Sequence, residues 1–242
     1  MYYKYKYSPS VSAMGTSGFL SPEGIFDILD DVANRHIYSV GVDLMTERNL
    51  TNTTWVILSW NVKILRQIPN HASLDVTTWI SSSSNQFSHI RQFTMADSEG
   101  NDLVYGCSES SLVDTQSGTF IKISPEAQSL YGCEDREVIK RRLIKRQKME
   151  HFTEHSEIAL RKSDIDYNCH VHNTRYLSYI IESLPESVLN GRNISDFVIS
   201  YRQALLPENK TVIVNYSLMA EGVSAILTLP DGTQCASAEL FF

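Results

Sequence analysis

The sequence predicts an α+β fold of two tandem halves, each a curved antiparallel sheet wrapped on one long helix. Three observations predict it. An apolar helical stripe occurs twice, as Ile25, Ile28, Leu29 and Val32 and then as Leu177, Ile180, Ile181 and Leu184, at a constant offset of 152. Each stripe is followed by runs that alternate apolar with polar residues, the period of a half-buried strand. Matching turn chemistry separates the last two runs of each half, Asp97-Ser98-Glu99-Gly100 in one and Pro230-Asp231-Gly232 in the other.

The elements follow in order. Tyr2 to Tyr7 alternates lysine with tyrosine, a strand with one wet face and no signal-peptide core. Ser21 is an N-cap and Pro22 the first position of the first helix. Leu58, Trp60, Val62 and Ile64 alternate with polar residues, and further strand-like runs cover 74–80, 87–95 and 103–113. The second helix is expected to start at Asn173, which falls on Ser21 at the same offset. Ile199, Tyr201, Gln203 and Leu205 alternate with Ser200, Arg202 and Ala204, and runs at 211–219, 223–229 and 235–242 complete the second half. The expected organisation is therefore 1–123, a basic linker at 124–150, and 151–242.

The formal charge of −7 argues against nucleic acid as a partner. No apolar run is long enough for a membrane-spanning helix, and a cytoplasmic protein is expected. Cys107, Cys133, Cys169 and Cys235 show no CxxC pair and no zinc-ligand spacing, so reduced, structural thiols are expected. The bases Arg136, Lys140, Arg141, Arg142, Lys145, Arg146 and Lys148 face a single Glu137. Such a run is ordinarily a solvated helix face; its functional reading is a dock for an acidic partner.

The chemistry concentrates at Asp166, Asn168 and His170, a carboxylate, a carboxamide and an imidazole at every second position, just before the second helix. Unpaired N–H groups at a helix start favour developing negative charge, and acyl transfer needs such a place. At offset 152 the first half has Met14, Thr16 and Gly18, without the triplet, which places one chemical site in the second half. The plainer alternative is that Asp166, Asn168 and Asn173 only cap a turn and a helix; the accompanying His170 weighs against it.

Asp166-x-Asn168-x-His170-Val171-x-Asn173-x-x-Tyr176 between a strand and a core helix, in tandem α+β halves, resembles the fatty acyl-acyl-carrier-protein thioesterases of plants and bacteria. The resemblance covers essentially the whole chain and implies a tandem (double) hotdog fold. It implies hydrolysis of a fatty acyl thioester on acyl carrier protein, no cofactor, and a first half that shapes the acyl tunnel. The same fold also hosts acyl-CoA thioesterases and dehydratases. Two positions depart from the family pattern. The usual H-V-N-N is His170-Val171-His172-Asn173, and the glutamate expected after the next strand's tyrosine falls on Ala204, with Leu205 at the cysteine position of plant relatives. Gln203 could orient a water, Glu208 lies close in sequence, and a weakly active acyl-binding protein becomes an alternative.

Thioester hydrolysis needs a polarised carbonyl, an activated water and a proton for the leaving thiolate. An imidazole titrates near ~6.5, so His170 can serve as base and then acid. Backbone N–H groups at His172 and Asn173 could hold the oxyanion, Asn168 could orient water or carbonyl, and Asp166 could fix His170 or act on water. Period-2 geometry would turn Cys169 away as a packed thiol. His170-x-His172 and the pair His151 and His155 lack a completing ligand set, so no metal is expected. The basic run, on the resemblance, would meet the acidic carrier protein. The sequence leaves acyl-chain length and oligomeric state open, a homodimer among the options.

Overall fold

The computed structural model describes residues 1–44 and 51–242. The chain forms two compact units, Met1–Arg141 and Arg142–Phe242. Unit 1 contains β1 (Tyr3–Tyr7), α1 (Pro22–Ser39), β2 (Thr53–Ile64), β3 (Leu74–Ile80), β4 (His89–Ala96), β5 (Asp102–Asp114), β6 (Phe120–Ile121) and the short α2 (Pro125–Ser129). Its sheet runs β1-β3-β4-β5-β2, antiparallel throughout, with β6 on β5. Ser21 caps α1 as expected, its hydroxyl accepting the Gly24 N–H at 3.0 Å, with Pro22 in the first turn.

The stripe Ile25, Ile28, Leu29 and Val32 is fully buried. Phe26 meets Trp60 edge-on at 5.1 Å, and Trp60 lies 5.0 Å from Phe93, so helix and sheet share an aromatic core. The sheet comes close: a Cβ on Gly106 would lie 3.1 Å from Leu29 Cδ1 and 3.3 Å from Phe93 Cβ.

Unit 2 contains β7 (Glu154–Ala159), α3 (Arg175–Ser183), α4 (Glu186–Leu189), β8 (Asp196–Tyr201), β9 (Thr211–Met219), β10 (Gly222–Thr228) and β11 (Gln234–Phe241). Its antiparallel sheet runs β8-β11-β10-β9-β7. Leu177 and Ile180 of α3 are fully buried, with Tyr176 and Tyr179 on the same face. The helix is half the length of α1 because Leu184 precedes Pro185 and is driven to an extended ψ of 138°.

Three expectations change. The second helix begins at Arg175 behind Thr174, whose side chain makes no cap bond, and not at Asn173. Strand β8 stops at Tyr201, because the Arg202 and Gln203 N–H groups both turn to the Cys235 carbonyl, at 2.8 and 3.2 Å. The basic run at 136–148 is neither helix nor strand. It is an extended strap whose backbone is bonded to sheet side chains.

In unit 1 the Trp79 indole N–H donates to the Arg136 carbonyl at 2.7 Å and the Asn61 amide to that of Lys140 at 2.8 Å. The buried Gln92 amide accepts from Val138 and Ile139 N–H and donates to the Ile139 carbonyl. In unit 2 the Ile144 N–H donates to Ser200 Oγ at 2.9 Å, while Arg202 donates to its carbonyl. Backbone groups satisfied in this way have no need of a helix. Among the described residues, no helix is long and apolar enough to cross a membrane.

Candidate active site

The predicted triplet lies on a tight reverse turn, not on a strand. Ile165 bridges Val171, the Asp166 N–H donates to the His170 carbonyl at 2.9 Å, and the Cys169 N–H donates to the Asp166 carbonyl at 3.0 Å. Asp166 Oδ1 accepts the Asn168 N–H at 2.8 Å, an Asx turn. Cys169 takes the left-handed position, φ 62°, and its thiol is exposed. The expectation of a packed Cys169 is therefore wrong, since period-2 alternation does not survive a turn. Cys133 is exposed as well, against Cys107 and Cys235, which are buried. Burial pushes the Cys107 thiol up to about 12 and the Cys235 thiol up to about 11.

Unit 1 contains the same turn, and it corrects the internal comparison. Gly15 N–H donates to Phe19 O at 2.8 Å and Gly18 N–H to Gly15 O at 3.0 Å, with Gly18 left-handed at φ 80°. The structural partners of Asp166, Asn168 and His170 are thus Gly15, Ser17 and Phe19, one residue off the helical offset. Unit 1 still lacks the triplet.

Asp166 gathers the polar groups. Its Oδ1 lies 3.6 Å from His170 Nδ1, and its Oδ2 lies 3.4 Å from His172 Nδ1. His170 Nδ1 also lies 3.3 Å from the Val171 carbonyl. Burial alone would raise the Asp166 carboxyl. The His172 hydrogen bond, the nearby His170 ring and the Asn168 N–H outweigh that and hold it below the usual carboxylate range.

Residues that sequence reasoning passed over hold the turn in place. The buried Asp164 carboxylate accepts the Tyr179 hydroxyl at 2.8 Å and the Arg161 N–H at 2.9 Å, tying the loop to α3. The Tyr201 hydroxyl donates to the Asn173 carbonyl at 2.8 Å. The Leu205 N–H donates to the Tyr176 hydroxyl at 3.0 Å, and the Leu205 carbonyl accepts the Val171 N–H at 2.8 Å. Burial raises the Tyr176 phenol, and burial plus Asp164 raises that of Tyr179, so both stay protonated. The signal was two phenols on an otherwise aliphatic helix face.

The His172 N–H, expected beside an oxyanion, donates to the Asp164 carbonyl at 2.8 Å instead. Gln203 and Ala204 are exposed and Leu205 is buried, so the segment after β8 brings no carboxylate before Glu208. Of the basic run, Arg141 pairs with Glu109, Arg142 with Glu239 and Lys148 with Glu150, while Arg136 lies over the Trp79 ring. Among the described residues, no His, Cys, Asp and Glu group could hold a metal ion.

The family model for the acyl-ACP thioesterase N-terminal domain matches residues 1–131, and that for the C-terminal domain matches residues 146–229. The chain belongs to the acyl-ACP thioesterase family. It is similar to the chloroplastic dodecanoyl-[acyl-carrier-protein] hydrolase of Cinnamomum camphora, 26% identical over 74% of this chain and 50% of that protein. It is also similar to the chloroplastic oleoyl-acyl carrier protein thioesterase of Coriandrum sativum, 26% identical over 83% of this chain and 58% of that one. The chain thus spans little more than half the length of these relatives.

Two solved structures share the fold. The 12:0-ACP thioesterase from Umbellularia californica has a TM-score of 0.89 at 18% identity, covering 99% of this chain and 96% of that one. The acyl-ACP thioesterase from Bacteroides thetaiotaomicron has a TM-score of 0.86 at 16% identity, covering 100% and 97%. The expected double hotdog is borne out by these acyl-ACP thioesterase folds.

Proposed function

We propose that this chain hydrolyses fatty acyl thioesters on acyl carrier protein, releasing free fatty acid and holo-carrier protein. The observation that carries the reading is the Asp166, Asn168 and His170 turn. In a chain of this family it supplies a fixed carboxylate, a carboxamide and an imidazole, and the matching turn of unit 1 has none of them. Asp166 and the Val171 carbonyl both face His170 Nδ1 and favour its protonation there, which leaves Nε2 to take a proton from water. Asn168 would orient the water or the carbonyl, and the start of α3 beside Asn173 would favour the developing oxyanion. Cofactor and metal have no part in this scheme.

Residues 1–123 would shape the acyl tunnel and residues 151–242 carry the chemistry, joined by 124–150. The acidic carrier protein would dock on the basic run, chiefly through Lys140, Lys145 and Arg146, since Arg141, Arg142 and Lys148 already face carboxylates. The cytoplasm is the compartment expected from the sequence, and a homodimer the assembly to look for by light scattering.

One substrate panel tests the reading. Dodecanoyl and oleoyl groups are offered on acyl carrier protein and on coenzyme A, beside a 3-hydroxyacyl thioester. Preferred release of fatty acid from the carrier protein is the expected outcome. Dehydration of the hydroxyacyl substrate alone would place the chain among dehydratases, and binding without turnover would make it an acyl-binding protein.

A further inference from the structure

We infer that His172 is a second acid–base residue: Asp166 holds two imidazoles, and His172 delivers the proton that the departing thiolate needs while His170 takes one from water. The inference rests on the hydrolase reading above. Its basis is the division of labour on one carboxylate. Oδ1 is committed to the Asn168 N–H at 2.8 Å and stands 3.6 Å from His170 Nδ1, beyond hydrogen-bond reach. Oδ2 has His172 Nδ1 as its partner at 3.4 Å. The ring in contact with the anion is the better seat for a cation.

The backbone that carries that ring is held at both its N–H and its carbonyl. His172 N–H donates to Asp164 O at 2.8 Å, and the Arg175 N–H donates to His172 O at 3.0 Å. Both imidazoles turn Nδ1 to Asp166, so Nε2 of each lies on the far side of its ring. Their side chains are 37% and 32% exposed. Titratable and charged groups around the pair are Asp166 in the turn, Asp164 and Arg161 before it, Arg175 and Tyr176 on α3, and Tyr201 at the end of β8. The Asp164 carboxylate is turned to Tyr179 and Arg161. The segment from Arg202 to Pro207 contains no carboxylate to act as the second proton carrier.

The proton balance closes. Water attacks the carbonyl carbon while His170 Nε2 takes one of its protons and the carbonyl π pair moves to oxygen. As that pair returns, the C–S bond breaks, and sulfur leaves with the bonding electrons and takes the Nε2 proton of the His172 imidazolium. Acid and thiol depart; His170 releases a proton to solvent and His172 takes one up.

The test compares two dodecanoyl esters, one on acyl carrier protein and one of thiophenol, whose thiolate leaves without help. In His172→Gln, kcat for the carrier-protein ester should fall on the order of 100-fold with KM nearly unchanged. The alkaline fall of the kcat profile should vanish, and the thiophenyl ester should lose little. Equal losses on both esters, or none on the carrier-protein ester, overturn the inference. His172→Asn repeats the comparison should the glutamine variant fold poorly.

Histidine 15N spectra of the unaltered protein give an independent reading. Neutral Nδ1–H tautomers at His170 and His172 agree with the scheme; an Nε2–H tautomer at His172 overturns it. An unaltered protein that hydrolyses neither ester overturns the hydrolase reading as well, whereas an undiminished His172→Gln rate overturns this inference alone.

Discussion

Asp166 is held as an anion by two imidazoles and a backbone N–H, against the opposing pull of its partial burial. Its folded pKa lies below the ordinary ~3.9, so its contribution to stability is fully present above that value and is lost only as pH falls through the lower folded one. Its charge is therefore constant from about pH 5 upward, and the carboxylate itself imposes no pH dependence on the rate near neutrality. Asp166→Asn should cut kcat on the order of 100-fold or more across that whole range; recovery of full rate at any pH within it would contradict the role.

Cys169 makes a second residue-scale case. It occupies the left-handed position that Gly18 fills in unit 1, a conformation costing a non-glycine residue roughly 1 kcal/mol. Cys169→Gly should retain activity and leave the melting temperature equal or higher. Loss of hydrolysis would make the thiol a participant. At this scale the triplet was legible in the sequence, because its residue types are unusual together. The Asp164 and Tyr179 lock was not, since spacing alone does not say where a chain reverses or which hydroxyl a buried carboxylate meets.

At the scale of elements, β3 and β9 were read with their observed bounds, and the α1 stripe packs as its 3.6-residue period requires. The end of β8 was not legible, because two N–H groups sharing the Cys235 carbonyl leave no trace in an alternating pattern. The repeat offset also shifts by one residue between the turn and α3, which a constant offset hides. The strap differs from the helix face that its charge run suggests, since its partners are side chains distant in sequence. Gln92, fully buried, makes three bonds to the strap backbone at Val138 and Ile139. At about 1 kcal/mol each, with buried groups left unsatisfied, Gln92→Ala should cost roughly 2–4 kcal/mol in urea unfolding. A loss under about 0.5 kcal/mol would mean that the strap does not depend on it.

At the scale of the molecule, the fold class followed from patterning, whereas the charged core of unit 1 had no signature. Arg91 is buried and donates to His36 Nδ1 at 2.8 Å, with Tyr131 beneath its guanidinium and His89 close by. Burial, aided by Arg91, lowers His36 to about 3 and His89 to about 4. Both folded values lie below the ordinary ~6.5, so the stability they contribute is present above that pH and is lost as pH falls toward about 4 and then 3. Each should contribute up to about 1.4 kcal/mol per pH unit between ~6.5 and its folded value. Urea midpoints should therefore drop steeply from pH 7 to 4.5, and less steeply in His89→Gln; equal slopes would remove His89 from the account.

The turn bearing Asp166, Asn168 and His170 is proposed to hydrolyse acyl thioesters on acyl carrier protein. Its most direct test is the kcat of His170→Ala on dodecanoyl-acyl carrier protein, beside a melting curve for each protein. A loss on the order of 1000-fold with the melt unchanged is expected; an undiminished rate in a folded His170→Ala protein would remove the turn from the hydrolysis.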